Sequence, residues 1–276
     1  MMIFVPRHTQ NATRSAPGVF CKVIIGLSLS IAAFGAQADL YEDGLMAYAV
    51  GNYAKAGQHF MDAADAGNAG AEHMLMRLFE ENKLYAKDIQ AETLKWTRRA
   101  AEKGVVHAQL SLGRIYAEKQ GDVKAAVEWY RKAAEQGHPD AYYQLGAVFA
   151  KGAKGVEADT QESRRLYQIA ASEFDVYAQK GSADAQYKLA GMYQQGLGMK
   201  TNIVLTVKWM EKAALQGHAL AQLSLGRLYA EGTDVPRDVR EARFWLHLAA
   251  AQGEQDAVVA LNKLKASEDT KVALAM

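Results

Sequence analysis

The stretch EWYRKAAEQG, from Glu128 to Gly137, decides the fold because the chain repeats it. Each copy reads as the end of an amphipathic helix, with an alanine pair, a closing glycine and a tryptophan eight residues before that glycine. The other copies are KWTRRAAEKG (Lys95–Gly104), KWMEKAALQG (Lys208–Gly217) and FWLHLAAAQG (Phe244–Gly253). Together these phrases hold all four tryptophans of the 276-residue chain, which indicates a repeated structural unit.

Two less regular copies, without the tryptophan, bring the number of closing glycines to six, and the spacing of these glycines is typical of repeats built from paired helices. The spacings are 37, 33, 44, 36 and 36 residues. The glycines are Gly67, Gly104, Gly137, Gly181, Gly217 and Gly253. The long spacing reflects about eight extra residues after the pair Ala170-Ala171, which predict about two extra helical turns or a helix with a break.

A second phrase follows five of these glycines and carries the apolar stripe of another helix. It begins at an alanine, with a leucine four residues on and an aromatic residue eight residues on, so the three side chains share one helix face. The residue five positions after the alanine is a glycine or an alanine in four of the five copies. Because a glycine inside a helix costs up to about 1 kcal/mol, this recurrence indicates a close neighbouring helix. We call the first residues the repeat alanines: Ala71, Ala108, Ala141, Ala185 and Ala221.

Each repeat therefore reads as a helix A that begins near the repeat alanine, a turn, and a helix B that ends at the glycine. Asp122, Asp159 and Asp238 are placed to cap the start of helix B, and the glycine provides a left-handed stop. Because one pair cannot bury its apolar stripe alone, successive pairs must stack. We predict an all-α solenoid of about six antiparallel helix pairs over residues 39–266. Its last segment, Glu254–Ala266, is a C-terminal capping helix, and residues 267–276 are a flexible tail.

Residues 1–38 have the pattern of a secretory signal peptide. Arg7, Arg14 and Lys22 precede the apolar run Val23–Phe34, and an Ala-x-Ala sequence ends at Ala38, as at a cleavage site. The alternative is an uncleaved membrane anchor, but the run of 12 residues is well short of the roughly 20 needed to cross a bilayer. We expect cleavage after Ala38 and an exported protein that is periplasmic, secreted or associated with the envelope.

The amino-acid composition and net charge indicate which classes of partner the chain does not bind. The chain is 50% hydrophobic and 23% charged, as globular proteins are. Removing the predicted signal takes away three of the 32 basic residues and the single cysteine, Cys21, and leaves a formal charge of −2. Nucleic-acid binding requires a basic excess or stripe, and anionic membranes attract polybasic segments. We therefore predict no nucleic-acid partner, no disulfide, and no integral membrane insertion after signal cleavage.

The two phrases together resemble the Sel-one-like repeat, a branch of the tetratricopeptide superfamily. The pattern is A-x-x-x-L-G-x-x-Y-x-x-G, a turn, and D-x-x-x-A-x-x-W-Y-x-K-A-A-x-Q-G, best matched by Ala108–Gly137 and Ala221–Gly253. The resemblance covers about Leu40 to Gly253. It implies a right-handed superhelix with helix A on the concave face and helix B on the convex face.

The resemblance also implies a class of function. Family members are mostly adaptors that assemble partners, and exported bacterial members are associated with envelope assembly, polysaccharide secretion, flagellar function and host contact. One cysteine-rich exported group binds β-lactams with a disulfide in each repeat. Because this chain lacks those cysteines, that activity is not carried over.

The tryptophans admit two interpretations, as exposed binding platforms or as core residues. Their fixed register and the alanine pair one turn on favour the core. The stretch GLGMKT (Gly196–Thr201) is a poor phosphate loop, because Met199 separates the glycine from the lysine. No histidines stand at a metal-ligand spacing such as H-x-x-x-H, and G-x-S-x-G is absent. We predict no catalytic, cofactor-binding or metal-binding residue and a protein that is not an enzyme.

One variable face of helix A is the candidate binding surface. It consists of the third, sixth and tenth residues after each repeat alanine, which lie away from the apolar stripe; we call it the groove face. Arg–Glu pairs four residues apart on this face contribute only about 0.2–0.5 kcal/mol, so the arginines can exchange that partner for a ligand carboxylate. The predicted partner-binding residues are Arg77, Ser111, Arg114, Gln144, Lys188, Gln195, Ser224 and Arg227.

The sequence thus predicts a non-enzymatic scaffold or adaptor in the bacterial cell envelope that binds a peptide or protein partner on the groove face. Two alternatives stay open. An enzyme or a small-ligand binder, related to cell wall or polysaccharide, would bring histidine, carboxylate and serine groups together in the groove. A mainly architectural part of a larger envelope complex would carry an apolar patch on its B helices.

Overall fold

The structure is a computed structural model that describes residues 39–275, with side chains through Ser267. The predicted signal peptide, residues 1–38, lies outside the described residues. The chain divides into two compact units after Lys103. Each unit is built from helices joined by short connections.

The first unit contains two helix pairs, and the second contains four pairs and one further helix. In the first unit, α1 spans residues 39–49, α2 Tyr53–Asp65, α3 Ala69–Glu80 and α4 Ile89–Glu102. In the second, α5 spans Val106–Arg114 and continues as a π-helix, Ile115–Lys119, followed by α6 Val123–Glu135, α7 Pro139–Lys151, α8 Thr160–Gln179, α9 Ala183–Gln195, α10 Ile203–Leu215, α11 Ala219–Glu231, α12 Val239–Ala251 and α13 Gln255–Ala275.

Odd-numbered helices up to α11 are the A helices, and even-numbered helices are their B partners. Within residues 39–275 this gives the six pairs and the additional C-terminal helix that the spacing predicts. The all-α solenoid fold is confirmed, and its right-handed turn stays a prediction.

The small residue on helix A marks the closest approach of helix B. A Cβ atom added at Gly113 would lie 2.4 Å from the Tyr130 ring, and one at Gly226 would lie 2.5 Å from Leu246. Gly146 meets Tyr167 in the same way, at 3.0 Å. The prediction that a neighbouring helix excludes larger side chains is confirmed, and the neighbour is helix B of the same pair.

Replacing Gly226 with alanine is expected to lower the free energy of unfolding by about 1–3 kcal/mol, because the added methyl group overpacks the contact with Leu246. A urea titration followed by circular dichroism measures the change. Ser224→Ala, in the same helix, is the matched control and should stay within about 0.5 kcal/mol of wild type. Equal stability of Gly226→Ala and wild type would contradict the close helix contact.

The predicted helix ends are present. Asp122, Asp159 and Asp238 each accept hydrogen bonds from backbone N–H groups in the first turn of α6, α8 and α12. The six closing glycines adopt φ between 80° and 99°, a left-handed conformation that residues with a Cβ atom rarely adopt. The extra residues of the fourth repeat lengthen α8 to 20 residues without a break, against 13 in α10.

Three tryptophans are core residues, and the prediction is wrong for the fourth. Trp96, Trp209 and Trp245 are buried, but Trp129 is only half-buried. In α6 the buried residue is Tyr130, its neighbour, while the Trp129 ring lies under the Lys132 ammonium group, 3.8 Å from the ring centre. An indole ring can remain partly exposed to water because its N–H group is polar. The repeat position of a tryptophan therefore does not by itself determine whether its ring is buried.

Buried glutamines, which the sequence analysis missed, join helix A to helix B in three repeats. The residue after the repeat alanine accepts from the residue before the closing glycine, over 2.7–2.9 Å. The pairs are Gln109–Gln136, Gln186–Gln216 and Gln222–Gln252. Gln186 and Gln222 also donate to backbone carbonyls of the preceding B helix, so each links two successive helix pairs.

In the first unit, charged side chains stand at the positions that these glutamines occupy in the second unit. Glu72 of α3 is fully buried and accepts from Arg99 at 2.8 Å, while the Lys103 ammonium lies 3.1 Å from the same oxygen. Arg99 also donates to the Ala64 carbonyl of α2. The arrangement therefore links α2, α3 and α4 as the glutamines link helices of the second unit.

Helix α13 begins like another helix A and then becomes polar. Ala257 follows Gly253 at the spacing of a repeat alanine and is fully buried, and Leu264 is buried as well. Asn262 and Lys265 stand where other A helices carry a small residue and an aromatic residue, as suits a terminal helix. The backbone is helical through Ala275, beyond the end at residue 266 that was predicted for the capping helix.

Candidate functional site

The groove face of three successive A helices lines one cavity of about 310 Å³. Four of the eight predicted partner-binding residues meet there: Gln144 of α7, Lys188 and Gln195 of α9, and Ser224 of α11. The spacing rule therefore brings together side chains from separate repeats. The cavity is also lined by Asp140, Tyr143, Tyr187, Gly191, Gln194 and Met210.

A second cavity of about 590 Å³ continues the groove face between α11 and α13. It contains the predicted residue Arg227, which donates to Asp256 of α13 at 2.8 Å. Lys263 and Ser267 also line it. Both stand at groove-face spacing from Ala257, so helical spacing identifies them as groove-face residues, although the sequence analysis predicts only a capping role for this helix.

The other predicted residues lie elsewhere. Arg77 pairs with Glu81 at 3.0 Å in the first unit, as the predicted Arg–Glu spacing indicates. Arg114 instead donates to Ser111 at 3.3 Å. The wider π-helical turn that begins at Ile115 displaces side chains four residues apart, which explains why this arginine takes another partner.

Two carboxylates hold the Lys188 ammonium group: Asp140 lines the first cavity with it, and Asp184 lies outside that lining. The Lys188 Nζ atom lies 2.7 Å from Asp140 and 2.8 Å from Asp184. Burial alone would lower the pKa of Lys188, but its hydrogen bonds to both carboxylates outweigh burial, and the pKa is raised. Lys188 therefore stays charged, and this cluster of three side chains carries one net negative charge.

Two tyrosine rings form walls of the same cavity, and each is held by a neighbour. Tyr143 packs edge-on against Tyr167 with ring centres 5.5 Å apart, and Tyr187 lies 4.7 Å from the His218 ring. Burial raises the pKa of Tyr143, with Asp140 adding to it, so its phenol keeps its proton at neutral pH. The cavity is thus lined by two aromatic side chains together with the amides of three glutamines, which both donate and accept hydrogen bonds.

A histidine lies beside this cluster at the start of α7. The His138 Nδ1 atom lies 3.9 Å from Asp140, and its ring packs edge-on against His107 at 5.1 Å. Burial lowers the pKa of His138; Asp140 opposes this shift and His107 adds to it. The folded chain therefore favours the neutral imidazole.

The His138 shift predicts acid sensitivity. Between the ordinary histidine pKa of 6.5 and the lowered folded value, the unfolded chain binds more protons, so stability is complete above that window and falls as pH decreases through it. One histidine gives a slope of at most about 1.4 kcal/mol per pH unit. Urea titrations of wild type and His138→Asn between pH 8 and pH 5 measure it, since asparagine is well suited to the N-cap position that His138 occupies in α7. An unchanged slope in the variant would contradict the assignment.

Two ionisable side chains of the cavity have pKa values shifted away from neutral pH. A general base works best with a pKa near the operating pH, whereas the pKa values of Lys188 and Tyr143 are both raised. Among the residues that the structure describes, no group of three His, Cys, Asp or Glu side chains is placed to hold a metal ion. Through this same part of the chain, no helix is long and apolar enough to cross a membrane.

Comparison with known proteins agrees with the repeat architecture. The Sel1 repeat family model matches residues 86–105, 106–138, 139–173, 183–218 and 219–254. A Sel1 repeat protein from Oxalobacter formigenes is similar to this chain at 32% sequence identity, over 79% of this chain and 86% of that one, with a TM-score of 0.57.

A more distant structural likeness is to an immunity protein from Pseudomonas aeruginosa, at 20% identity over 74% of each chain and a TM-score of 0.46. No curated protein matches the chain. The five matched segments include the phrases from which the sequence resemblance was drawn, and that resemblance is confirmed. The chain belongs to the Sel1 repeat family.

Proposed function

We propose that this chain is a non-enzymatic scaffold that holds an extended segment of a partner protein against the groove face of α7, α9, α11 and α13. The Sel1 repeat is a fold of protein–protein interaction scaffolds. One observation carries the choice of surface: Gln144, Lys188, Gln195 and Ser224, from three A helices, line a single cavity.

The chemistry of that cavity supports a polypeptide occupant. Side-chain amides of Gln144, Gln194 and Gln195 line it, and an amide both donates and accepts hydrogen bonds, as a peptide backbone does. The second cavity continues the same helix face onto α13. An extended segment crossing α9, α11 and α13 would therefore meet polar groups along its length.

Crosslinking from single positions tests the surface. A photoreactive amino acid at Gln195, which is exposed in the groove, is compared with one at Lys208, which is exposed on α10. Expressed in its native host, the Gln195 chain is expected to capture a defined protein, and Ser224 replaced in the same way should capture the same one. Capture from Lys208 alone would contradict the groove as the binding surface.

We also propose that the chain works in the cell envelope. This rests on the signal-peptide pattern in residues 1–38 and the predicted cleavage after Ala38. N-terminal sequencing of the chain recovered from the periplasm or medium should begin at Asp39. Recovery of the uncleaved chain from the cytoplasm would contradict export.

One observation favours a second role for the exposed side of the B helices, which we call the outer face. Phe244 and Leu248 lie one turn apart on α12 and are exposed, where α10 carries Lys208 and Lys212. Exposed apolar side chains at these positions suit an additional contact within a larger assembly. Phe244→Lys with Leu248→Lys should weaken such assembly, measured by sedimentation of cell extracts, while capture from Gln195 is retained.

A further inference from the structure

We propose that the cavity between α7, α9 and α11 receives a lysine or arginine side chain of the bound segment, seated over bare backbone at Gly191. This inference rests on the proposed function and adds the chemistry of the partner. Three observations carry it: an unexplained glycine, a pair of fixed aromatic walls and an unbalanced charge.

Gly191 differs from the other helical glycines of the described chain. Each of the others faces a side chain that would lie within 3.1 Å of an added Cβ atom: Gly44, Gly57, Gly70, Gly113, Gly146 and Gly226. At Gly191 an added Cβ atom would find only the Gln195 Nε2 atom, at 4.0 Å. Packing within the chain therefore does not require this glycine.

Gly191 lies where a ligand in the cavity would contact the helix backbone. It lies in the interior of α9 and lines the cavity, at the groove-face position where α11 carries Arg227. Glycine in a helix interior is destabilising relative to alanine. A helix that keeps it here gains room for another chain to approach its backbone.

The cavity walls suit a cation. Tyr143 and Tyr187 both line the cavity, and their rings rest against Tyr167 and His218. Aromatic faces attract ammonium and guanidinium groups, more strongly when water is excluded. Because both rings are already held in place, a bound side chain needs to order little at this site.

The net charge of the ion cluster around Lys188 favours a positively charged ligand. Asp140 and Asp184 share the single ammonium of Lys188, so one negative charge remains at pH 8, where imidazole groups such as His138 are neutral. A second cation would balance it. An acidic ligand would instead bring a third negative charge beside these two carboxylates.

By its lining residues the first cavity holds Asp140 against Lys188, and Asp184, which pairs with Lys188 from outside that lining, gives the cluster its negative excess. The second cavity instead has a positive excess among its lining residues. Arg227, Arg237 and Lys263 line it with only Glu231 and Asp256 as acidic groups. A basic side chain is therefore expected in the cavity of α7, α9 and α11 and disfavoured in the cavity of α11 and α13.

Selection from a displayed library of random decapeptides on the purified full chain at pH 8 tests the proposal. Enriched peptides, labelled and measured by fluorescence anisotropy, should share a lysine or arginine whose replacement by norleucine weakens binding at least tenfold. Asp184→Asn should weaken them as well. Gly191→Ala should weaken binding at least tenfold and yet raise the melting temperature by about 2–4 °C, as a better helix former does in a chain of this size.

The outcomes separate the two proposals. Enriched peptides that lack a basic residue, or that bind Gly191→Ala as tightly as wild type, would overturn this inference and leave the proposed function standing. A melting temperature lowered by Gly191→Ala, as expected for the packed position Gly226→Ala, would overturn the assignment of Gly191 to binding. Failure to enrich any peptide would overturn the groove as a peptide site, and this inference with it.

Discussion

Replacing Trp245 with alanine is expected to lower the free energy of unfolding by about 3–5 kcal/mol, as truncation of a buried aromatic side chain does. Trp245 is only 6% exposed and packs in a cluster with Leu225 and Trp209. Its indole N–H also donates to Glu241 at 3.1 Å. The substitution would leave a cavity inside the second unit and remove the donor of that hydrogen bond.

Trp129→Ala is the matched control, because it removes the same side chain at the same repeat position. Its ring is half-buried and covered on one face by Lys132, so the expected loss is about 1 kcal/mol. Urea titrations followed by circular dichroism at 222 nm compare the two variants. Equal losses would contradict the division of the tryptophans into three core residues and one half-buried residue.

Replacing Arg99 with leucine is expected to lower the free energy of unfolding of the first unit by about 3 kcal/mol, because a buried ion pair loses one partner. Glu72 is fully buried, and its carboxylate would keep only Lys103. Hydrogen exchange of α3 and α4, measured by mass spectrometry, reports the loss locally.

A triple variant is the control for this prediction. Glu72→Gln, Arg99→Leu and Lys103→Gln together reproduce the residues that α11 and α12 use at the same positions, Gln222, Leu248 and Gln252. Replacing a buried ion pair by a well-packed neutral group is often close to neutral, so stability should return to within about 1 kcal/mol of wild type. A triple variant as unstable as Arg99→Leu would show that the charged and amide links are not equivalent.

The repeat units could be predicted because their determinants are local in sequence. Gly226, Asp238 and the repeat alanines recur at fixed spacings, and each spacing places one side chain on one helix face or at one helix end. The burial of Trp129 could not be predicted in this way. It depends on which neighbouring side chains cover the ring, and those come from the fold.

The sequence could predict which helix face forms the candidate site, but it could not predict the side-chain contacts within that site. Helical spacing alone placed Gln144, Lys188 and Ser224 on one face, and the fold brings them to one cavity. The two carboxylates that hold Lys188 include Asp140 from another repeat, so this ion cluster needs three-dimensional information. The same holds for Gly191, which is distinguished from packed glycines only by what surrounds it.

Hydroxyl-radical footprinting of the chain, with and without the partner captured from Gln195, tests the groove-face assignment most directly. Tyr143 and Tyr187 report on the groove, and Phe244, which is 54% exposed on α12, reports on the outer face. The account predicts that complex formation lowers oxidation of both tyrosines and leaves Phe244 unchanged. Protection of Phe244 with unchanged oxidation of Tyr143 and Tyr187 would contradict it.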